Sequence, residues 1–145
     1  MNSDEILAWE KMDNKDGFYA FTTVITAATA GNFGVFFTAL HPCEIMGAVE
    51  SHTTAGSDAG AVTLNIEKLT SGTALDAGVA VLTTAWDLKS TANTPVIKSS
   101  LDLVKANRQL TAGDRLALDD SGTLTALVGV QVTVYFKRLG KGGYK

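Results

Sequence analysis

Few side chains in this sequence are of a type that does chemistry at neutral pH, so where they fall carries much of the argument. His41 and His52 are the histidines, and Cys43 is the single thiol in 145 residues. His41 and Cys43 flank Pro42, a spacing that could serve a metal pair or a nucleophile beside its base. A structural zinc site wants four ligands at set spacings, and two more do not stand out. A nucleophilic cysteine needs an oriented base, and no signature of that kind surrounds Cys43. The trio reads as packing at a strand end, with the thiol a small buried hydrophobe. Asp58, Asp76, Asp119 and Asp120 fall in loop-like stretches and could ligate calcium. Their spacing matches no calcium loop, so they read as turn residues whose carboxylates bind the local backbone. Phosphate cradles need a strand–glycine loop–helix context, which the pattern does not supply. Trp86 shares an alternation face with Leu82 and Leu88, so it is expected in the core, not as a sugar-stacking platform. The residues therefore predict no catalytic group, no metal and no cofactor, and a protein that is not an enzyme.

The elements that would position such groups are strands. "FYAFTTVIT" from Phe18 is aromatic and β-branched; "FGVFFTAL" and "CEIMGAVESH" follow, separated by His41-Pro42. "AVTLNIEKL" alternates, with Val62, Leu64 and Ile66 on one face and Thr63, Asn65 and Glu67 on the other. "VAVLTTAWDL", "VIKSSLDLV" and "DRLALDD" read as further strands. Asp120-Ser121-Gly122 has the chemistry of a hairpin turn. Beyond it, Leu124, Ala126, Val128, Val130, Val132, Val134 and Phe136 fall on one face, which predicts a single long central strand. About seven or eight short strands with turns between them predict an all-β fold, an antiparallel sandwich or barrel. "TAG" and "DAG" recur without a constant period, so they mark turns and not a repeat architecture.

Size and composition fit one such domain. The chain is 46% hydrophobic and 19% charged, ordinary for a folded protein. A net charge of −3 argues against a general nucleic-acid binder. A single cysteine excludes an internal disulfide framework and suits a reducing cytoplasm. No apolar run approaches the roughly 20 residues that span a bilayer, and the acidic N-terminus lacks the order of a signal peptide. Residues 1–17 form an arm: Ser3 with Asp4 and Glu5 makes a fair helix start, and Ile6, Leu7, Trp9 and Met12 could line a narrow apolar stripe. A helix this short needs something to pack on, so these residues read either as a frayed terminus or as an arm that docks on a neighbour. Residues 18–137 form the β-domain. The tail 138–145 is basic and glycine-rich; with Lys137 it offers Arg138, Lys141 and Lys145, as a solubilising end or as a clamp onto an acidic neighbour.

The stretches "AGAVTLNIEKLTSGTALDAGVAVLTTAWDLKSTANT" and "RQLTAGDRLALDDSGTLTALVGVQVTVYFK" together resemble small β-sandwich proteins encoded among the head genes of tailed bacteriophages. The markers are the "AGAVTLNIE" strand, the "LDAG" turn, the "STANT" loop and the "LTAGDRLAL…SGTLT…GV.VTV" ending, over about residues 18–137. Such proteins are similar to capsid decoration (cement) proteins or head-fibre bases. The resemblance implies a jelly-roll-like sandwich, often a homotrimer, seated on the outer face of the virion and bound to the major capsid protein. It implies manufacture in the host cytoplasm, no membrane, no direct nucleic-acid binding and no active-site residues. The candidate contacts with capsid or neighbour are those of the two ends, Ile6, Leu7, Trp9, Met12, Lys137, Arg138, Lys141 and Lys145. The rival reading is a carbohydrate- or receptor-binding module on the same sandwich, for which Tyr19, Tyr135 and Tyr144 are the obvious exposed aromatics.

Overall fold

A computed structural model describes residues 17–25 and 33–139. The described residues form ten strands: β1 (Phe18–Ile25), β2 (Val35–Thr38), β3 (Cys43–Ser51), β4 (Thr63–Leu69), β5 (Val79–Ala80), β6 (Trp86–Asp87), β7 (Val96–Lys98), β8 (Gln109–Leu110), β9 (Arg115–Ser121) and β10 (Val130–Arg138). One turn of 3₁₀-helix, Ser100–Asp102, carries a capping box between Ser99 and Asp102. Hydrogen bonds from the Ser99 backbone and hydroxyl hold the Asp102 carboxyl below its usual range.

The strands make two antiparallel sheets. The first runs β1-β10-β3-β7, with β8 also pairing β3; the second runs β2-β9-β4-β5, with β6 also pairing β4. β7 and β8 lie along one side of β3, and β5 and β6 along one side of β4, so ten strands occupy eight positions. From β1 to β4 the chain changes sheet at every step, and from β8 to β10 it does so again. That wrapping of a paired ribbon around two facing sheets is jelly-roll connectivity. The all-β sandwich expected from the alternation is therefore the fold.

Apolar residues of both inner faces meet in one core. Val62, Leu64 and Ile66 reach it from the second sheet, and Val130, Val132, Val134 and Phe136 from the first. Trp86, Leu82 and Leu88 are buried as their shared face predicts, and the Trp86 indole N–H donates to the Val96 carbonyl at 3.0 Å. Cys43 is buried, and burial pushes its thiol pKa up, as suits a packing residue.

Four expectations need correction. The long strand from Leu124 does not form, because β10 starts at Val130. Ala126 and Gly129 both take positive φ, at 64° and 69°, which breaks the alternation. Leu124 and Leu127 are buried, while Ala126 and Val128 face solvent. Asp120-Ser121-Gly122 is not a hairpin, since β9 and β10 belong to opposite sheets; Asp119 and Asp120 lie within β9 and not in a loop. "VAVLTTAWDL" is two short strands joined by an irregular stretch, with Leu82 bridging Leu103.

The turn chemistry at Gly122 is real even though the hairpin is not. Its φ is 92°, and a Cβ there would run into the Ala61 carbonyl oxygen. Gly122→Ala should therefore destabilise the fold by about 2 kcal/mol or more, read as a lower urea midpoint with an unchanged slope.

Candidate functional site

The two chain ends leave the sandwich at one corner. The Arg138 N–H donates to the Gly17 carbonyl at 2.7 Å, and the Leu139 N–H donates to the Pro42 carbonyl at 3.0 Å. Pairing of β1 with β10 without a break, from Phe18 opposite Lys137 to Ile25 opposite Val130, fixes that geometry. Lys137 and Arg138 thus stand at the end of β10 beside the point where residues 1–16 begin. Ile6, Leu7, Trp9, Met12, Lys141 and Lys145 lie outside the described residues.

Aromatic packing braces this corner from inside. Phe136 stacks on Phe37 across the two sheets, with centroids 4.4 Å apart, and on Tyr19 within its own sheet at 5.1 Å. Tyr19 also meets the His41 ring edge-on at 6.0 Å. His41 thus sits in an aromatic cluster, in keeping with the packing read from its sequence context.

The outer face of the first sheet borders the corner. On β1 the outward positions are Phe18, Ala20, Thr22 and Val24; opposite them on β10 are Lys137, Tyr135, Thr133 and Gln131. β3 continues the rows with Glu44, Gly47, Val49 and Ser51, and Ile97 of β7 stands beside Val49. Phe18 is 54% exposed, Val24 57% and Ile97 71%. Three of the four rows carry no charge; in the fourth Lys137 lies opposite Glu44, whose carboxylate is ion-paired with Arg108 at 2.7 Å. Sequence alternation located these residues on strands, but it could not tell that the outward set of β1 was as apolar as the inward one.

The second sheet presents a different exterior. Asp119 of β9 lies near Glu67, Asp76 and Asp120, and burial, then those neighbouring charges, raise its pKa. Glu67 is buried beneath residues 76–78, where its carboxylate accepts the Asp76 and Gly78 N–H groups at 3.0 and 3.2 Å. Of the acids read as turn residues, Asp58 binds the local backbone, accepting the Gly60 N–H.

One ionisable pair is enclosed in the sandwich and was not legible as a pair in the sequence. His52 Nδ1 lies 2.8 Å from Glu50 Oε1, and both side chains are fully buried. His52 Nε2 donates to the Ser90 carbonyl at 3.1 Å. Because Nε2 carries that proton, a second is needed between Nδ1 and the carboxyl. The contact can be an ion pair or a carboxylic acid donating to neutral imidazole; full burial of both favours the neutral form. Burial indeed raises the Glu50 pKa, with the His52 contact opposing. No substrate can reach groups enclosed in this way, so the pair is structural. A shallow cleft of about 190 Å³ between β1 and β2 is lined by Thr23, Ile25, Phe33, Phe36 and Leu118, among others, with no titratable side chain. Among the described residues no cluster of three or more His, Cys, Asp or Glu could hold a metal, and no helix is long and apolar enough to cross a membrane.

No family model matches the sequence, and no curated protein is similar to it in sequence. Among solved structures, a chain of the cyanophage Pam1 capsid asymmetric unit aligns over 85% of this chain and 81% of its own length, at 18% identity and a TM-score of 0.50. The CBM22-1–GH10 portion of Clostridium thermocellum xylanase 10B covers 90% of this chain and 27% of its own, at 15% identity and a TM-score of 0.37. The infectious bursal disease virus structure, Gx strain, covers 89% and 32%, at 16% identity and a TM-score of 0.36. At these identities the likeness is one of fold, and the first alone has a score that compares the fold as a whole.

Proposed function

We propose that this chain is a structural virion protein that decorates and stabilises the outer surface of a tailed-phage capsid by binding the lattice of the major capsid protein. The observation that carries the reading is the corner at Gly17 and Arg138, where both chain ends leave a braced jelly roll side by side. An acidic, apolar-striped arm and a basic tail starting from one point can grip two neighbours at once. Energies modest per copy then multiply over many identical sites on a shell. The fold shared with a chain of a cyanophage capsid supports the assignment. The protein works without enzymatic activity or cofactor, and its place is the virion surface after synthesis in the host cytoplasm.

A glycan platform on the same fold is the weaker reading. Of its three candidate aromatics, Tyr135 stands exposed, Tyr19 instead packs inward on Phe136 and against His41, and Tyr144 lies outside the described residues.

The test is cosedimentation with emptied phage heads, comparing the full chain with one starting at Gly17. The shortened chain should keep its melting transition and attach at least about tenfold more weakly, since burying even one large apolar side chain is worth about 1.5–3 kcal/mol. Equal attachment of both chains would remove the arm from the docking mode.

A further inference from the structure

We infer that, in the unattached chain, residues 7–14 fold back along β1 as a strap that seats Trp9 and Leu7 at the cleft between β1 and β2. The outermost strand of a sheet presents a row of backbone groups, and proteins blunt such edges with short strands, charge or proline. Most edges here are blunted by length: β2 has four residues, β7 three, and β5, β6 and β8 two each. β1 has eight, none charged and none proline, and among the described residues only β10 pairs with it.

Three observations select the chain's own N-terminal segment as the occupant of that edge. The first is the turn. Asn14-Lys15-Asp16-Gly17 has the residues of a type I turn, with Asn at its first position and Gly at its fourth. Gly17 has a φ of 62°, the left-handed value that completes a three-residue hairpin loop after such a turn. The second is phase. Because the Arg138 N–H donates to the Gly17 carbonyl, the backbone groups of Gly17, Tyr19, Phe21, Thr23 and Ile25 turn toward β10. Those of Phe18, Ala20, Thr22 and Val24 turn toward the open edge, and the hairpin loop needs the Phe18 carbonyl to accept the Asn14 N–H. Had β1 paired in the other phase, that carbonyl would be spent on β10. The third is register. Counting from Asn14 opposite Phe18, Trp9 falls opposite Thr23 and Leu7 opposite Ile25, on the inward face. Thr23 and Ile25 line the cleft with Phe33, Phe36 and Leu118, so two large apolar residues of the arm meet an apolar opening. A short helix over the same stretch is marginal alone in water, whereas the edge offers its backbone groups partners. On the capsid reading the strap is the stored form of the arm, which must peel away before it reaches a neighbour.

The experiment is amide hydrogen exchange by NMR on the full chain, beside a chain starting at Gly17. The Ala20, Thr22 and Val24 amides should exchange at least about tenfold more slowly in the full chain, a factor that burial of one large apolar side chain supplies. Amides of β4, in the other sheet, should exchange alike in both. Equal rates along β1 would overturn the inference. Protection that grows between about 20 and 500 µM would also overturn it, because a second copy would then hold the edge. Should the shortened chain fail to fold, Leu7→Ser/Trp9→Ser in the full chain reads the same contact: loss of the β1 protection is expected, and its retention would contradict the strap. Exchange is read without heads, so equal rates would leave the capsid reading standing, and failure to bind heads would leave the strap standing.

Discussion

His52→Ala should lower the melting temperature by about 10 °C, corresponding to about 3–4 kcal/mol. Two losses add up. The Glu50 carboxyl would be left buried without its partner, at about 1–3 kcal/mol, and the vanished ring would leave a cavity that the surrounding strands fill only partly. Glu50 Oε2 already lacks a hydrogen-bond partner among the described residues, so this carboxyl has little else to turn to. Glu50→Gln should cost much less, because an amide N–H can still donate to Nδ1 while Nε2 keeps the Ser90 carbonyl. The pair also carries a pH signature. Burial raises the Glu50 pKa above the ordinary 4.5, so the folded chain keeps a proton that the unfolded chain releases. The stability tied to that proton is fully present below pH 4.5 and is lost as pH rises through the raised value. Urea midpoints taken across that rise should fall more steeply for the parent than for Glu50→Gln. Parallel curves would show that the carboxyl is charged in the fold.

Phe136→Ala should be comparably damaging, at about 3–5 kcal/mol. Phe136 is fully enclosed, and its ring joins the sheets by stacking on Phe37 while it stacks on Tyr19 beside it. Removing it takes out a large core volume together with two aromatic contacts, each worth about 0.5–1.5 kcal/mol beyond buried area. Phe136→Leu keeps much of the volume and should cost under about 2 kcal/mol. The consequence reaches function, because Phe136 lies two residues before Arg138, whose backbone holds Gly17. At temperatures where both variants remain folded, proteolysis within the first 17 residues should be faster in the alanine variant. Equal cleavage rates would detach the stack from the corner.

The parts of this fold that alternation could reveal were those where a strand keeps one face inward throughout. β4 is the clearest, with Leu64 and Ile66, and Val62 just before it, all buried as their spacing implies. Alternation fails where the backbone changes phase. In β3 the inward set passes from Cys43 and Ile45 to Ala48 and Glu50, because Met46 is an extra residue against β10, whose Phe136 faces Ile45 and Tyr135 faces Gly47. That bulge turns Glu50 inward with His52 after it, and a period-two reading cannot foresee it. Positive φ at Ala126 and Gly129 does the same before β10 and hid the crossing between sheets. For the candidate site, the sequence named Lys137 and Arg138 and the two ends. Their convergence on one corner depends on β1 pairing with β10 across the length of the chain, which no local pattern encodes.

The most direct measurement of the capsid reading is the number of copies bound per head at saturation, from heads lacking the chain titrated with the purified protein and weighed by sedimentation. Decoration of a lattice predicts saturable binding at a fixed ratio to the major capsid protein, with the coated heads surviving heat that breaks bare ones. Binding without a plateau, or no binding to intact heads at all, would contradict it.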